Sequence, residues 1–135
     1  MALEAEASAI SAGETAVVIT YGMGVYWAQK AAEAFPGQIS ILDLRTLAPW
    51  DRVEVMAKAR THGRVLVLTE ECSSPSFAQS VQGAIAEECF EFLDAPVQLI
   101  GAVNVPAIPL NTTLEQTMLP NADKVEGALR SLLAY

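Results

Sequence analysis

Four short apolar runs punctuate the chain: TAVVITY (Thr15 to Tyr21), ISILDL (Ile39 to Leu44), RVLVLTE (Arg64 to Glu70) and VQLIGAV (Val97 to Val103). Between them, apolar residues recur every three or four positions. This alternation constrains the fold more than any other feature. Short runs rich in β-branched residues fit strands buried on both faces. Strands joined by helix-length connections cannot pair as hairpins, and their crossovers produce a mainly parallel sheet covered on both faces. Ala7 to Ile10 offers a fifth strand, reversed against the others.

The connections read as helices. Met23 to Phe35 places Val25, Ala28, Ala32 and Phe35 on one apolar face, and Pro36-Gly37 ends it. Asp51 is a natural N-cap for the next helix, with Glu54 three residues on as in a capping box and Val53, Met56 and Ala57 as its apolar residues. Gly63 closes it. After the polar bend CSSPS, a longer helical face carries Phe77, Val81, Ile85, Cys89 and Phe92, with Gln79, Gln82, Glu87 and Glu91 toward water. Beyond Val103 come the proline-spaced loop NVPAIPLN and two helical pieces. The last, Asp123 to Leu133, aligns Val125, Leu129 and Leu132. Residues 1–7 are expected as a flexible N-terminal segment and 8–135 as one domain.

Composition excludes several function classes. A formal net charge of −8, from 16 acidic and 8 basic side chains, repels a phosphate backbone and argues against a nucleic-acid partner. No run of 18 apolar residues is present, so no membrane helix is expected. The start, MALEAEASAISAGET, lacks the basic and apolar regions of a signal peptide, which points to the cytoplasm. Cys72 and Cys89 have the spacing of neither a zinc site nor a disulfide framework and read as buried or half-buried free thiols.

Candidate site residues gather at the carboxyl ends of the strands, where α/β proteins place binding groups. Gly22 and Gly24 follow the first strand; Trp27 stands where a dinucleotide fingerprint needs its third glycine. Amides there could hold an anion, but a tight turn and close packing explain both glycines more simply. In DLRTLAPWD, Arg45 is expected to pair with Asp43, Asp51 or a partner's carboxylate. Trp50 is either an aromatic interface anchor or a partly buried core residue. Glu70 and Glu71 are adjacent carboxylates without demonstrated acid–base geometry. His62, the single histidine, reads as a helix-end residue rather than the partner of a catalytic cysteine. The segment from Phe92 to Pro120 contains four prolines and is apolar, suiting either a stiff contact surface or a loop folded on its own core.

In order and spacing, GETAVVITYG (Gly13 to Gly22), DLRTLAPWD, RVLVLTEE (Arg64 to Glu71), LDAPVQLIG (Leu93 to Gly101), VPAIP (Val105 to Pro109), Leu114-Glu115 and Pro120 resemble the C-terminal domain of the transketolase family. The resemblance is strongest to the beta subunit of the E1 component of 2-oxo acid dehydrogenases, the pyruvate and branched-chain enzymes, and spans about residues 8–133. It implies a three-layer α/β/α domain with a five-stranded, mostly parallel sheet and one antiparallel edge strand. It also implies that the complete enzyme binds thiamine diphosphate and magnesium on other domains, decarboxylates a 2-oxo acid and passes the acyl group to lipoyl groups of an acyltransferase. The implied role of this domain is assembly, with the remaining thiamine-binding domains or E1 subunits, a second copy, and the acyltransferase's subunit-binding domain as partners. Asp43, Arg45, Pro49 and Asp51 match the family's strand–loop signature, and Asp94, Ala95 and Pro96 its later DAP landmark.

Two departures qualify the match. CSSPSFAQS (Cys72 to Ser80) replaces the glycine-rich loop usual after the third strand, and the G-D-G motif that binds the thiamine diphosphate is absent. No cofactor is therefore expected on this chain alone, and no activity. The candidate anion or interface residues are Gly22, Gly24, Asp43, Arg45, Trp50, Asp51, Glu70 and Asp94; none is read as catalytic. The competing readings are a nonenzymatic assembly or regulatory domain and a small-molecule-binding α/β module.

Overall fold

The structure, a computed structural model, describes residues 6–72, 76–102 and 119–135. Its elements run β1 (Ser8–Ser11), β2 (Ala16–Thr20), α1 (Met23–Ala32), β3 (Ile39–Asp43), α2 (Arg52–His62), β4 (Val65–Cys72), α3 (Phe77–Glu88), a 3-10 turn (Phe90–Phe92), β5 (Gln98–Ala102) and α4 (Ala122–Leu133). The sheet order is β1-β3-β2-β4-β5. β3, β2, β4 and β5 are mutually parallel, and β1 is antiparallel to β3 at the edge. This is the three-layer sandwich expected. The NVPAIPLN loop and the first of the two late helical pieces lie outside the described residues, as does the side chain of Cys72.

The chain moves one way along the sheet from β2 to β3 and the other way from β3 to β4 and β5. Right-handed crossovers then put the intervening helices on opposite faces. Strand alternation supplies each face with its core. Val17, Ile19, Leu42, Val65 and Val67 pack under α2 and α3. Val18, Ile41, Leu66 and Leu68 pack under α1 and α4 with Val125, Leu129 and Leu132. Every residue of β2 is buried, which is why it reads as a continuous apolar run.

Three helix expectations need correction. α1 ends at Ala32, and Ala34 and Phe35 continue in tightened i→i+3 bonds to Ala31 and Ala32. Its inward face is Gly24, Ala28 and Ala31, with Phe35 beyond, while Val25 and Ala32 are half-buried. In α2, Val53 is 82% exposed and Ala57 is exposed; Val55, Met56, Ala59 and His62 face the core. The cap sets that register. Asp51 Oδ1 accepts from Glu54 N at 3.1 Å, which leaves Val53 in the first turn pointing outward, while Glu54 turns its carboxylate to Lys58. α3 stops at Glu88, because the chain tightens through Cys89 and Phe92 N donates to Cys89 O. Phe92 is consequently exposed instead of lying on a longer helical face.

His62 is the last residue of α2, the helix-end position expected, and its side chain turns into the core. It is buried, with Nδ1 donating to Lys58 O at 2.8 Å and Nε2 lying 2.9 Å from Ser40 Oγ and 3.0 Å from Gly13 O. It joins α2 to β3 and to the turn before β2. Cys89 is a buried free thiol, as expected.

Candidate functional site

The chain reverses its direction along the sheet between β2 and β4, and in such folds the crevice at their carboxyl ends is where ligands settle. Among the described residues, Tyr21, Thr69 and Phe77 meet one another there. The Tyr21 hydroxyl lies 2.8 Å from Thr69 Oγ1, and the Tyr21 ring meets Phe77 edge-on with centroids 6.0 Å apart. Trp50 packs edge-on against the same Phe77 at 6.2 Å, and the Arg52 guanidinium lies over Trp50. Trp50 is thus half-buried against the core.

The amides that open α3 have internal acceptors as well. Phe77 N donates to Glu71 Oε2 at 3.4 Å and Gln79 N to Ser76 Oγ at 3.1 Å, while the backbone of Ala78 bonds the Tyr21 oxygen. A helix N-terminus so occupied does not wait for an anion. Burial pushes the Tyr21 phenol above its usual range; Glu71 and Glu70 push the same way, while the bonds from Thr69 and Ala78 oppose them.

The glycines take the packing role. Gly22 opens α1 with φ 61°, in the left-handed region, and Glu70 Oε1 lies 3.0 Å from where a Cβ would stand. A Cβ on Gly24 would lie 1.9 Å from Thr20 Oγ1, so the helix seats directly on the strand. At the end of β3, Asp43 Oδ1 accepts from Arg45 N at 3.0 Å, and Thr46 N donates to Leu44 O at 2.6 Å. Arg45 sits at the centre of that tight turn with φ 62°. The expected in-chain ion pair of Arg45 does not form among the described residues. Asp43 serves Arg45's own amide, and Asp51 serves Glu54 N and Ala7 N.

Asp94 stands apart from the other seven candidates. It precedes β5 and so lies at the opposite end of the sheet, beside the Gly63 turn that precedes β4. Its amide donates to Gly63 O at 2.8 Å, and its carboxylate is 3.5 Å from Arg64 Nη1. It helps line an open groove of about 770 Å³ between α3 and the segment entering β5, with Gln82, Phe90, Leu93, Pro96 and Val97. Gln82 Nε2 ties the two sides by donating to Val97 O at 2.8 Å. Phe90 is 75% exposed at its edge.

Sequence reasoning missed this groove, although a signal was present. From Val65 to Asp123 there is no Lys or Arg, while Glu70, Glu71, Glu87, Glu88, Glu91, Asp94, Glu115 and Asp123 all fall there. The rest of the chain carries eight acidic and eight basic side chains, so the whole formal −8 belongs to this stretch. The groove lies within it. Among the described residues, no group of three or more His, Cys, Asp or Glu could hold a metal, and no helix is long and apolar enough to cross a membrane.

Comparison with known proteins agrees with this architecture. The family model of the transketolase C-terminal domain matches residues 5–125. The chain is similar to the beta subunit of 2-oxoisovalerate dehydrogenase from Bacillus subtilis (strain 168), with 36% identity over 126 residues covering 91% of this chain and 38% of that protein. It is 30% identical over 123 residues to the beta subunit of the pyruvate dehydrogenase E1 component of Rhizobium meliloti (strain 1021), covering 89% of this chain and 26% of that one. The chain therefore spans well under half the length of these relatives. A solved structure described as a split gene transketolase, inactive beta4 tetramer, superposes with a TM-score of 0.78 at 22% identity, covering 99% of this chain and 44% of that one, a likeness of fold. The chain belongs to the transketolase C-terminal domain family.

Proposed function

We propose that this chain is the assembly and docking domain of a thiamine-diphosphate-dependent 2-oxo acid dehydrogenase E1 component, and that it supports oxidative decarboxylation in the full complex without catalysing it. The observation that carries this reading is the similarity to E1 beta subunits along nearly the whole chain, joined to a strand end where Tyr21, Thr69 and Phe77 bond and pack with one another. Thiamine diphosphate with magnesium does not fit that crevice. The α3 amides are spent on Glu71, Tyr21 and Ser76, and the Glu70 carboxylate beside the α1 N-terminus would repel a diphosphate. The coenzyme belongs to other domains of the assembly.

Among the described residues, two surfaces suit partners. The β3-end turn presents Arg45, exposed and without an ion pair among the described residues, toward the remaining E1 domains or a second copy. The groove beside Asp94 offers apolar walls within a stretch lacking any basic residue, which suits an apolar segment flanked by Lys or Arg. The acyltransferase's subunit-binding domain is the partner assigned to it.

Mixing tests the assembly role. The chain alone, titrated with thiamine diphosphate and magnesium in a calorimeter and assayed with 2-oxo acids, is expected to show neither saturable binding nor turnover. Adding the remaining E1 domains as separate polypeptides is expected to yield a complex that turns over. Stoichiometric coenzyme binding with turnover by the chain alone would refute the proposal.

A further inference from the structure

We infer that Arg64 is an internal competitor for the Asp94 carboxylate, a built-in counter-ion that an incoming basic side chain must displace; this rests on the docking reading of the groove. Three features of the contact point to competition. The Arg64–Asp94 pair is loose, with Nη1 3.5 Å from Oδ2, beyond a good hydrogen bond. The stronger bond of the guanidinium runs elsewhere, from Nη2 to Tyr135 O at 2.6 Å. Its Nε is buried with no hydrogen-bond partner. The guanidinium thus sits between two acceptors and satisfies only one of them well. It can release Asp94 and remain anchored on Tyr135.

Asp94, in turn, does not need Arg64 to hold its position. Its amide is fixed on Gly63 O, and its Oδ2 occupies space that exists because residue 63 has no side chain; a Cβ there would lie 2.6 Å away. What Arg64 contributes is charge. It is the last basic residue before the acid-only stretch, and it partly neutralises a carboxylate that is itself 60% exposed at the groove rim. A partner cation gains Asp94 only by outcompeting it, so docking is weakened and kept reversible.

Fluorescence anisotropy with a labelled acyltransferase subunit-binding domain tests this. Arg64→Gln is expected to bind about two- to fivefold more tightly than the natural chain, the range of a single exposed charge pair. Asp94→Asn is expected to weaken binding, and the double variant to match Asp94→Asn, since the competitor matters only while its carboxylate is present. If Asp94→Asn weakens binding but Arg64→Gln does not strengthen it, the groove docks a partner and the competition is refuted. If Asp94→Asn has no effect, or nothing binds, the docking reading fails and the inference with it. Should Arg64→Gln fail to fold, the side-chain ¹⁵N resonances of Arg64 in the natural chain decide. A shift on adding the partner supports displacement, and unmoved resonances in the bound state overturn it.

Discussion

The Tyr21 phenol, just past β2, bonds Thr69 in β4 and the Ala78 backbone of α3, in the crevice where many α/β proteins hold a ligand. Removing only its oxygen, in Tyr21→Phe, leaves Thr69 and the Ala78 amide short of a partner while preserving the ring against Phe77. The expected cost is about 1–2 kcal/mol in urea unfolding. Because burial raises its folded-state pKa, Tyr21 holds its proton in the folded chain after an unfolded tyrosine has begun to lose it. Its contribution to stability is complete below the ordinary value of 10.0 and is lost as pH rises through the higher folded value. Stability measured above pH 10 should therefore fall more steeply in the natural chain than in Tyr21→Phe. Parallel profiles would show that the phenol is not the group responsible. None of this was legible from TAVVITY, where Tyr21 was simply the last apolar residue of a strand; its role depends on Thr69 and Ala78, both far along the sequence.

At the scale of elements, turn chemistry explains both what could be read and what could not. Asp51 as a cap and Gly63 as a stop follow from local backbone needs and were readable. The inward face of α2 was not. Its apolar residues are few, and Val53 competed with Val55 for the core until the Asp51 cap fixed the register. Gly63 and Gly37 provide a paired test, since both are left-handed, at φ 72° and 73°. A Cβ at Gly37 meets nothing within 4 Å, whereas at Gly63 it would press on Asp94 Oδ2 and on Phe92 O at 2.9 Å. Gly37→Ala is expected to cost about 1–2 kcal/mol, the backbone penalty alone. Gly63→Ala should cost clearly more in the same thermal melts. Equal costs would mean that the approach of the Asp94 segment to this turn is slack. The Asp51 cap adds a further check. Asp51→Ala removes acceptors for both Glu54 N and Ala7 N and is expected to cost about 1–2 kcal/mol.

Across the whole molecule, charge is distributed as unevenly as structure is regular. The sheet order and both cores follow from four buried runs and their crossovers, and these were visible in the sequence. The groove was not, because it needs α3 to end at Glu88 so that the 3-10 turn can swing Phe90 outward and bring Leu93 and Asp94 back beside Gln82. With all the excess negative charge in residues 65–123, docking of a basic partner there should weaken severalfold as salt rises, through slower association. An affinity insensitive to salt would leave the acidic stretch without a part in docking. The most direct measurement is a titration of the ¹⁵N-labelled chain with an acyltransferase subunit-binding domain, followed by amide resonances. The account predicts shifts concentrated at Gln82, Gly83, Phe90 and Asp94, with Thr69 and Glu70 at the far end of the sheet unmoved. Shifts confined to the strand-end residues, or none at all at saturating partner, would contradict it.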